Sequence, residues 1–134
     1  MAKATASSIA PQLSVIITCA DFQVDERTER RSVIGIFDCL VPKMIPTTLD
    51  RIWLYVAFTD CRGNAQIRVK LTDSDDELVL AEMRDEDNSI SPKHTIDRAF
   101  LFENIRFPSY GEYTFQIEVN GHHLGEKRFE VTET

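Results

Sequence analysis

Apolar and polar residues alternate over much of this chain, and the clearest alternation lies between residues 111 and 119. A period of two places apolar side chains on one face of a strand and polar side chains on the other, so the pattern predicts a half-buried strand. Asn120-Gly121 follows, and both residues tolerate the positive φ angles of a type I′ turn. The sequence therefore predicts a hairpin that returns to residue 131. The apolar positions of its first strand are Tyr113, Phe115, Ile117 and Val119.

The register of this hairpin needs one extra residue. A two-residue turn followed by regular pairing would place charged residues opposite the buried face. A bulge at Gly125 corrects the mismatch and brings Phe129 opposite Tyr113. A three-residue loop over 120–122 would bring the same two rings together, but it turns Leu124 outward, so we favour the bulge.

A glycine stands two residues before Tyr113, at the start of this strand. The arrangement resembles the tyrosine corner of immunoglobulin-like sandwiches, in which the hydroxyl bonds to backbone a few residues upstream. An ordinary core tyrosine after a turn is an equal alternative.

Seven further segments have strand-like patterns or fit the spacing of hairpins. Residues 32–41 are apolar on both faces, which predicts a central strand. Residues 78–83 are also compatible with a short helix, because Ser74 and Glu77 have capping-box spacing. In the first strand, Ile16 and Phe22 are expected on the same face. The segments are 13–24, 32–41, 51–60, 65–72, 78–83, 95–103 and 122–131.

Short strands separated by turn signals every ten residues or so are typical of a β-sandwich. We predict an all-β, immunoglobulin/fibronectin-III-like antiparallel β-sandwich of about 7–9 strands. Residues 12–134 form its single domain, and residues 1–11 form a disordered N-terminal arm. The expected core contains Ile52, Leu54, Val56, Phe58, Ile67, Val69, Phe115, Ile117 and Phe129.

Charge and cysteine content narrow the range of partners and compartments. The net charge is −7, and basic residues are interleaved with acidic ones, which disfavours nucleic acid and anionic membranes as partners. Hairpin pairing would place Cys19 opposite roughly residue 36 rather than Cys39, so a disulfide between them is not expected. The third cysteine is Cys61. We expect free thiols in a reducing, cytoplasmic environment, no signal peptide, and no stretch of transmembrane length.

No set of residues indicates catalysis or a metal site. His122 and His123 are neighbours on a strand and face opposite sides, and His94 stands alone in a loop. Asp73 and the acidic residues after it lack the glycine and the final glutamate of an EF-hand loop. We therefore expect no catalytic residues, no metal and no cofactor. A calcium site shared between this turn and residues 85–88 remains an alternative.

Several sequence blocks together resemble a bacterial family of small proteins of uncharacterised function. The resemblance extends from about Ile17 to Val131, and it implies the fold without supplying an activity or a functional residue. The blocks are Cys19-Ala20-Asp21, Ser32-Val33-Ile34-Gly35-Ile36-Phe37-Asp38, Trp53-Leu54-Tyr55-Val56, Thr59-Asp60, Asn104-Ile105-Arg106-Phe107-Pro108, Gly111-Glu112-Tyr113-Thr114-Phe115 and Phe129-Glu130-Val131.

These patterns favour a non-catalytic protein-interaction or structural module. The alternative is a carbohydrate- or calcium-binding module, and an enzyme is the third hypothesis. If the even-numbered face of strand 51–60 fills the core, Trp53 and Tyr55 lie outside, beside Arg68 or Lys70 of the next strand. Aromatic residues and arginine are enriched in interface hot spots, so these four residues form the candidate interaction surface, for a protein partner or a homodimer. Alternatively, the arm or a loop covers the rings, or the odd face is the core.

Overall fold

The computed structural model describes residues 11–59, 64–75, 78–87 and 95–133. Within these ranges the chain forms nine strands and no helix. No helix there could therefore cross a membrane. The strands are β1 (Gln12–Val24), β2 (Arg31–Ile36), β3 (Cys39–Leu40), β4 (Thr47–Thr59), β5 (Ala65–Asp73), β6 (Val79–Asp87), β7 (Ile96–Phe107), β8 (Gly111–Val119) and β9 (His122–Val131).

The strands form two sheets that pack face to face. The four-stranded sheet has the order β2-β1-β4-β7, and the five-stranded sheet has the order β3-β9-β8-β5-β6. All described pairings are antiparallel except the short parallel pairing of β3 with β9. This arrangement confirms the predicted all-β sandwich, while the immunoglobulin-like connectivity stays a prediction.

The core lies between the two sheets and follows the alternation seen in the sequence. The even-numbered residues of β4 point inward, as do the odd-numbered residues of β5 and β8. Each strand contributes one apolar face, because only one face of each sheet can point into a two-layer core. All nine predicted core residues are buried: Ile52, Leu54, Val56, Phe58, Ile67, Val69, Phe115, Ile117 and Phe129.

The β8–β9 hairpin has the predicted turn and register. Asn120 and Gly121 have φ angles of 51° and 83°, and Tyr113 pairs with Phe129. The pairing shifts by one residue beyond the turn, with Leu124 as the extra residue immediately before Gly125. The bulge hypothesis is therefore confirmed, one residue earlier than expected.

Tyr113 fixes the loop that enters β8. Its hydroxyl donates a hydrogen bond to the carbonyl of Ser109 at 2.7 Å. Its ring packs edge-on against Phe107, with the ring centroids 4.9 Å apart. The upstream backbone bond that defines a tyrosine corner is thus present, and it ties the end of β7 to the start of β8.

One strand prediction was wrong in detail, and one open alternative is settled. Residues 32–41 divide into β2 and β3, which belong to different sheets, and β2 is an edge strand rather than a central one. Its two apolar faces do not reflect burial in the middle of a sheet, because Ile34 and Ile36 are exposed. For residues 78–83 the strand is confirmed and the short-helix alternative is wrong, since Val79–Asp87 pairs with β5 as strand β6.

Charged side chains connect the two sheets at the side of the sandwich where β6 and β7 meet. Arg98 on β7 contacts Asp85 at 3.0 Å and Asp87 at 2.5 Å, and both carboxylates belong to β6. These ion pairs link the two sheets and place charged side chains along both edge strands at this side.

We expect Phe115→Ala to lower the free energy of unfolding by about 3–5 kcal/mol, because truncating a buried ring leaves a cavity. Phe115 is fully buried and contacts Phe102 and Phe129. Denaturant unfolding followed by circular dichroism measures the loss. Glu112→Ala, an exposed change on the same strand, is the control. A loss near zero for Phe115→Ala would contradict the assignment of the buried face.

Candidate interaction surface

The structure separates the four residues of the predicted surface into two pairs. Trp53 and Tyr55 lie on β4, in the four-stranded sheet, whereas Arg68 and Lys70 lie on β5, in the five-stranded sheet. The chain crosses from one sheet to the other between β4 and β5, so the two pairs face opposite sides of the sandwich. The expectation that Arg68 or Lys70 lies beside the aromatic residues was wrong for this reason.

The outer face of the five-stranded sheet is charged. Arg68 contacts Glu82 at 2.8 Å, and Arg84 contacts the same carboxylate at 3.1 Å. The hydrogen bonds from the two guanidinium groups lower the pKa of Glu82. A shallow, open depression lies beside them and extends to Glu118 and Gly121. Because these charges are paired with one another, the depression is an ordinary solvent-exposed part of the sheet surface.

The outer face of the four-stranded sheet is apolar. Two rows of paired residues cross it, one of Cys19, Trp53 and Leu101 and the other of Ile17, Tyr55 and Ala99. Cys19 is fully buried there, and the other five are half-buried. An outer face of this composition requires a cover or a partner, since exposed apolar patches of this kind are typical of binding sites.

The β1–β2 hairpin supplies part of that cover by folding back over the sheet. The pairing of β1 with β4 ends at Cys19 and Trp53, so a straight continuation would place Arg31 level with residue 48. Instead, Arg31 contacts Asp97, which is level with Ala57. The difference is about nine residues, or roughly 30 Å along a strand. Residues 21–34, called the distal hairpin below, therefore lie across the outer face.

Gly35 forms the corner at which the hairpin turns back. Its φ angle is +70°, and a Cβ atom built there would lie 3.0 Å from the Cβ of Ala20 on the facing strand. Just before the corner, the Thr18 hydroxyl donates a hydrogen bond to the carbonyl of Phe37 at 2.6 Å. Glycine suits this position because it adopts a positive φ without steric cost and lets the two strands approach closely.

Three rings form an aromatic cluster between the distal hairpin and the sheet. The centroid of Phe22 lies 5.6 Å from that of Trp53 and 5.5 Å from that of Tyr55. Phe22 thus lies on the outer face, not on the core face with Ile16, because the strand bends between them. The Nε1 atom of Trp53 is buried without a hydrogen-bond partner among the described residues. The contact between hairpin and sheet therefore leaves one polar group unsatisfied within those ranges.

A polar contact holds the distal hairpin beside the rings. The guanidinium of Arg31 binds the Asp97 carboxylate, which also accepts a hydrogen bond from the Tyr55 hydroxyl at 2.8 Å. Burial, together with the hydrogen bond to Asp97, raises the pKa of Tyr55. We refer to Arg31, Asp97 and Tyr55 as the latch.

The β1–β2 hairpin leaves apolar side chains exposed to solvent and has a charged tip. Val24, Ile34 and Ile36 are 49%, 45% and 62% exposed. At the tip, Asp25 accepts hydrogen bonds from the backbone amides of Arg27 and Thr28 at 2.8 and 3.1 Å. These bonds lower the pKa of Asp25.

The sequence of the chain matches one known protein family. The model of a family of unknown function, DUF6941, matches residues 14–132. The chain belongs to this family. No curated protein matches its sequence. The DUF6941 assignment agrees with the resemblance seen in the sequence and, like it, supplies no activity.

The other candidate residues of this DUF6941 protein do not converge in the described ranges. Cys19 and Cys39 are free thiols, and burial raises the pKa of Cys19. Within the described ranges, no three His, Cys, Asp or Glu side chains are placed to hold a metal ion. Cys61, His94, Glu77 and part of the loop after β6 lie outside those ranges, as does the predicted arm except for Pro11.

Sequence reasoning did not identify the residues that build this layer. Phe22 and Asp97 belong to different predicted strands, Arg31 lies between two of them, and nothing in their spacing indicates a contact. One signal was available in Gly35, since a glycine inside an apolar strand pattern often marks a bulge or a close backbone approach.

We expect Gly35→Ala to destabilise the protein more than Gly121→Ala does. Both glycines have a positive φ, which costs alanine about 1–2 kcal/mol, but only at Gly35 would the new methyl group meet another side chain. Thermal unfolding measures the difference, and Trp53 fluorescence reports the hairpin because Trp53 is the single tryptophan. Equal losses for the two variants would contradict the close approach at Ala20.

Proposed function

We propose that this protein is a non-catalytic interaction module and that its β1–β2 hairpin binds the hairpin of a second copy of the chain. The observation that supports this proposal is the position of the hairpin. It leaves its own sheet at Gly35, lies across the outer face, and presents apolar side chains to solvent.

The exposed apolar residues of the hairpin suit the centre of a small interface. Ile34 and Ile36 flank the corner at Gly35 and are 45% and 62% exposed. β2 is also an edge strand, whose outer backbone groups have no neighbouring strand among the described residues. A two-fold contact would bring the same residues of both copies together, as isologous dimers do.

The charge of the hairpin tip favours a second copy over other partners. The whole chain has 22 acidic and 15 basic residues, so most surfaces of two copies repel each other. The tip is close to balanced, because Asp25, Glu26 and Glu29 are interleaved with Arg27 and Arg30, whereas Arg31 is already bound to Asp97. Two such tips can pair acid with base in a two-fold contact.

The alternative functions have less support. A sugar-binding platform needs flat rings that face solvent, whereas Phe22 stacks on Tyr55 and Trp53 is half-buried. The acidic turn proposed for calcium has no group of ligands placed for a metal within the described residues. Free Cys19 and Cys39 support the proposal of a reducing, cytoplasmic compartment.

We expect the protein to dimerise reversibly with a Kd of about 10 μM, because small interfaces give weak complexes. Sedimentation velocity over a concentration series measures the constant. The double variant Ile34→Ser/Ile36→Ser should weaken dimerisation at least tenfold without a loss of stability. Val79→Ser removes a side chain of 47% exposure from the edge strand of the other sheet and is the matched control.

Two results would count against this function. A wild-type protein that stays monomeric at several hundred micromolar lacks the proposed dimer. Equal weakening by Val79→Ser and by the isoleucine variant would show that the hairpin has no special part in association.

A further inference from the structure

We propose that the two copies associate by exchanging their distal hairpins, so that the aromatic face of each copy binds the hairpin of the other. This inference rests on the proposed self-association and specifies how it occurs. The binding site is the surface formed by Trp53, Tyr55 and Asp97, and its ligand is the segment 21–34 of a second copy.

Within one chain, the distal hairpin already fits the surface formed by Trp53, Tyr55 and Asp97. Phe22 packs on both rings, and Arg31 binds Asp97. An identical hairpin from a second copy can make the same contacts, so exchange needs no new chemistry at the acceptor surface.

Gly35 is the residue at which the backbone can change direction and release the distal hairpin. The closed hairpin requires a φ of +70° at this residue, and glycine can leave that angle at no steric cost. A two-stranded hairpin is marginally stable by itself and gains most of its stability from the surface on which it packs. We therefore expect the distal hairpin to open as a unit about this corner.

The exposed isoleucines fit this arrangement. Ile34 and Ile36 stand on either side of Gly35, where two chains would cross in an exchanged dimer. Side chains that are in solvent in the closed monomer would then pack against their copies at the crossing. The surface proposed for association and the hinge thus lie at the same place.

Charge reversal at the latch tests exchange directly. Arg31→Asp and Asp97→Arg are prepared as two separate proteins, each with like charges at positions 31 and 97. A heterodimer with exchanged hairpins restores an opposite-charge pair at both sites, whereas neither variant can do so alone. The equimolar mixture should form heterodimers at concentrations at which each variant is monomeric. Native mass spectrometry and sedimentation velocity measure them.

Circular dichroism shows whether the variants are folded, and Trp53 fluorescence shows whether the hairpin has moved. Each single variant should show a shift of emission to longer wavelength and stronger quenching by acrylamide, with an unchanged β-sheet circular dichroism spectrum. The double variant Arg31→Asp/Asp97→Arg restores the pair within one chain. It should return to the wild-type emission and show no gain in dimerisation.

A control pair has the same charge chemistry away from the hinge. Lys127 contacts Asp38 at 2.6 Å on the surface, outside the distal hairpin. A mixture of Lys127→Asp with Asp38→Lys should form no heterodimer, because these residues belong to no exchangeable element.

The result for the mixed latch variants determines whether the exchange proposal stands. Heterodimers from the latch variants and none from the control pair support exchange. If the latch mixture stays monomeric while the double variant regains the wild-type emission, the contact exists only within one chain and exchange is wrong. In that case, dimerisation that still depends on Ile34 and Ile36 would leave the proposed function standing.

Discussion

The two faces of β4 have different surroundings, and the rest of the structure depends on this difference. Its even-numbered residues fill the core against β5 and β8, so its odd-numbered residues must lie outside. Those residues include Trp53 and Tyr55, which are too large and apolar to be left in water without cost. The fold meets this constraint by bending the β1–β2 hairpin back over them, which adds a partial third layer to a two-layer sandwich.

The bent hairpin gives the two outer faces different chemistry. On the five-stranded sheet, Arg68 and Glu82 neutralise each other and remain in contact with solvent. On the four-stranded sheet, the ion pair of Arg31 with Asp97 lies beside aromatic rings. The first contact keeps a surface soluble, while the second fixes the position of a separate structural element.

Local pattern predicted the sheets well, because burial in a sandwich follows a period of two. This period predicts the inward residues of β4, β5 and β8. The Asn-Gly turn signal predicts the positive φ angles at Asn120 and Gly121, and hairpin pairing predicts that Cys19 lies opposite Ile36. The fold-back could not be predicted in this way. It depends on Phe22 meeting Tyr55 and on Arg31 meeting Asp97, contacts between residues far apart in sequence that no periodicity encodes. For the same reason, an apolar run at residues 32–41 suggested a central strand where the chain instead bends at Gly35.

The ion pairs of Arg98 with Asp85 and Asp87 have a consequence for the size of any assembly. A sandwich with two open sides can add copies at both and grow into a filament, as heterologous contacts do. Here Arg98, Asp85 and Asp87 place charges on the side at β6 and β7, and such charges discourage the addition of a strand. Growth is then restricted to the side of the hairpin, where a two-fold contact uses up the surface it needs. The proposed self-association should accordingly stop at a closed pair rather than continue as a fibre.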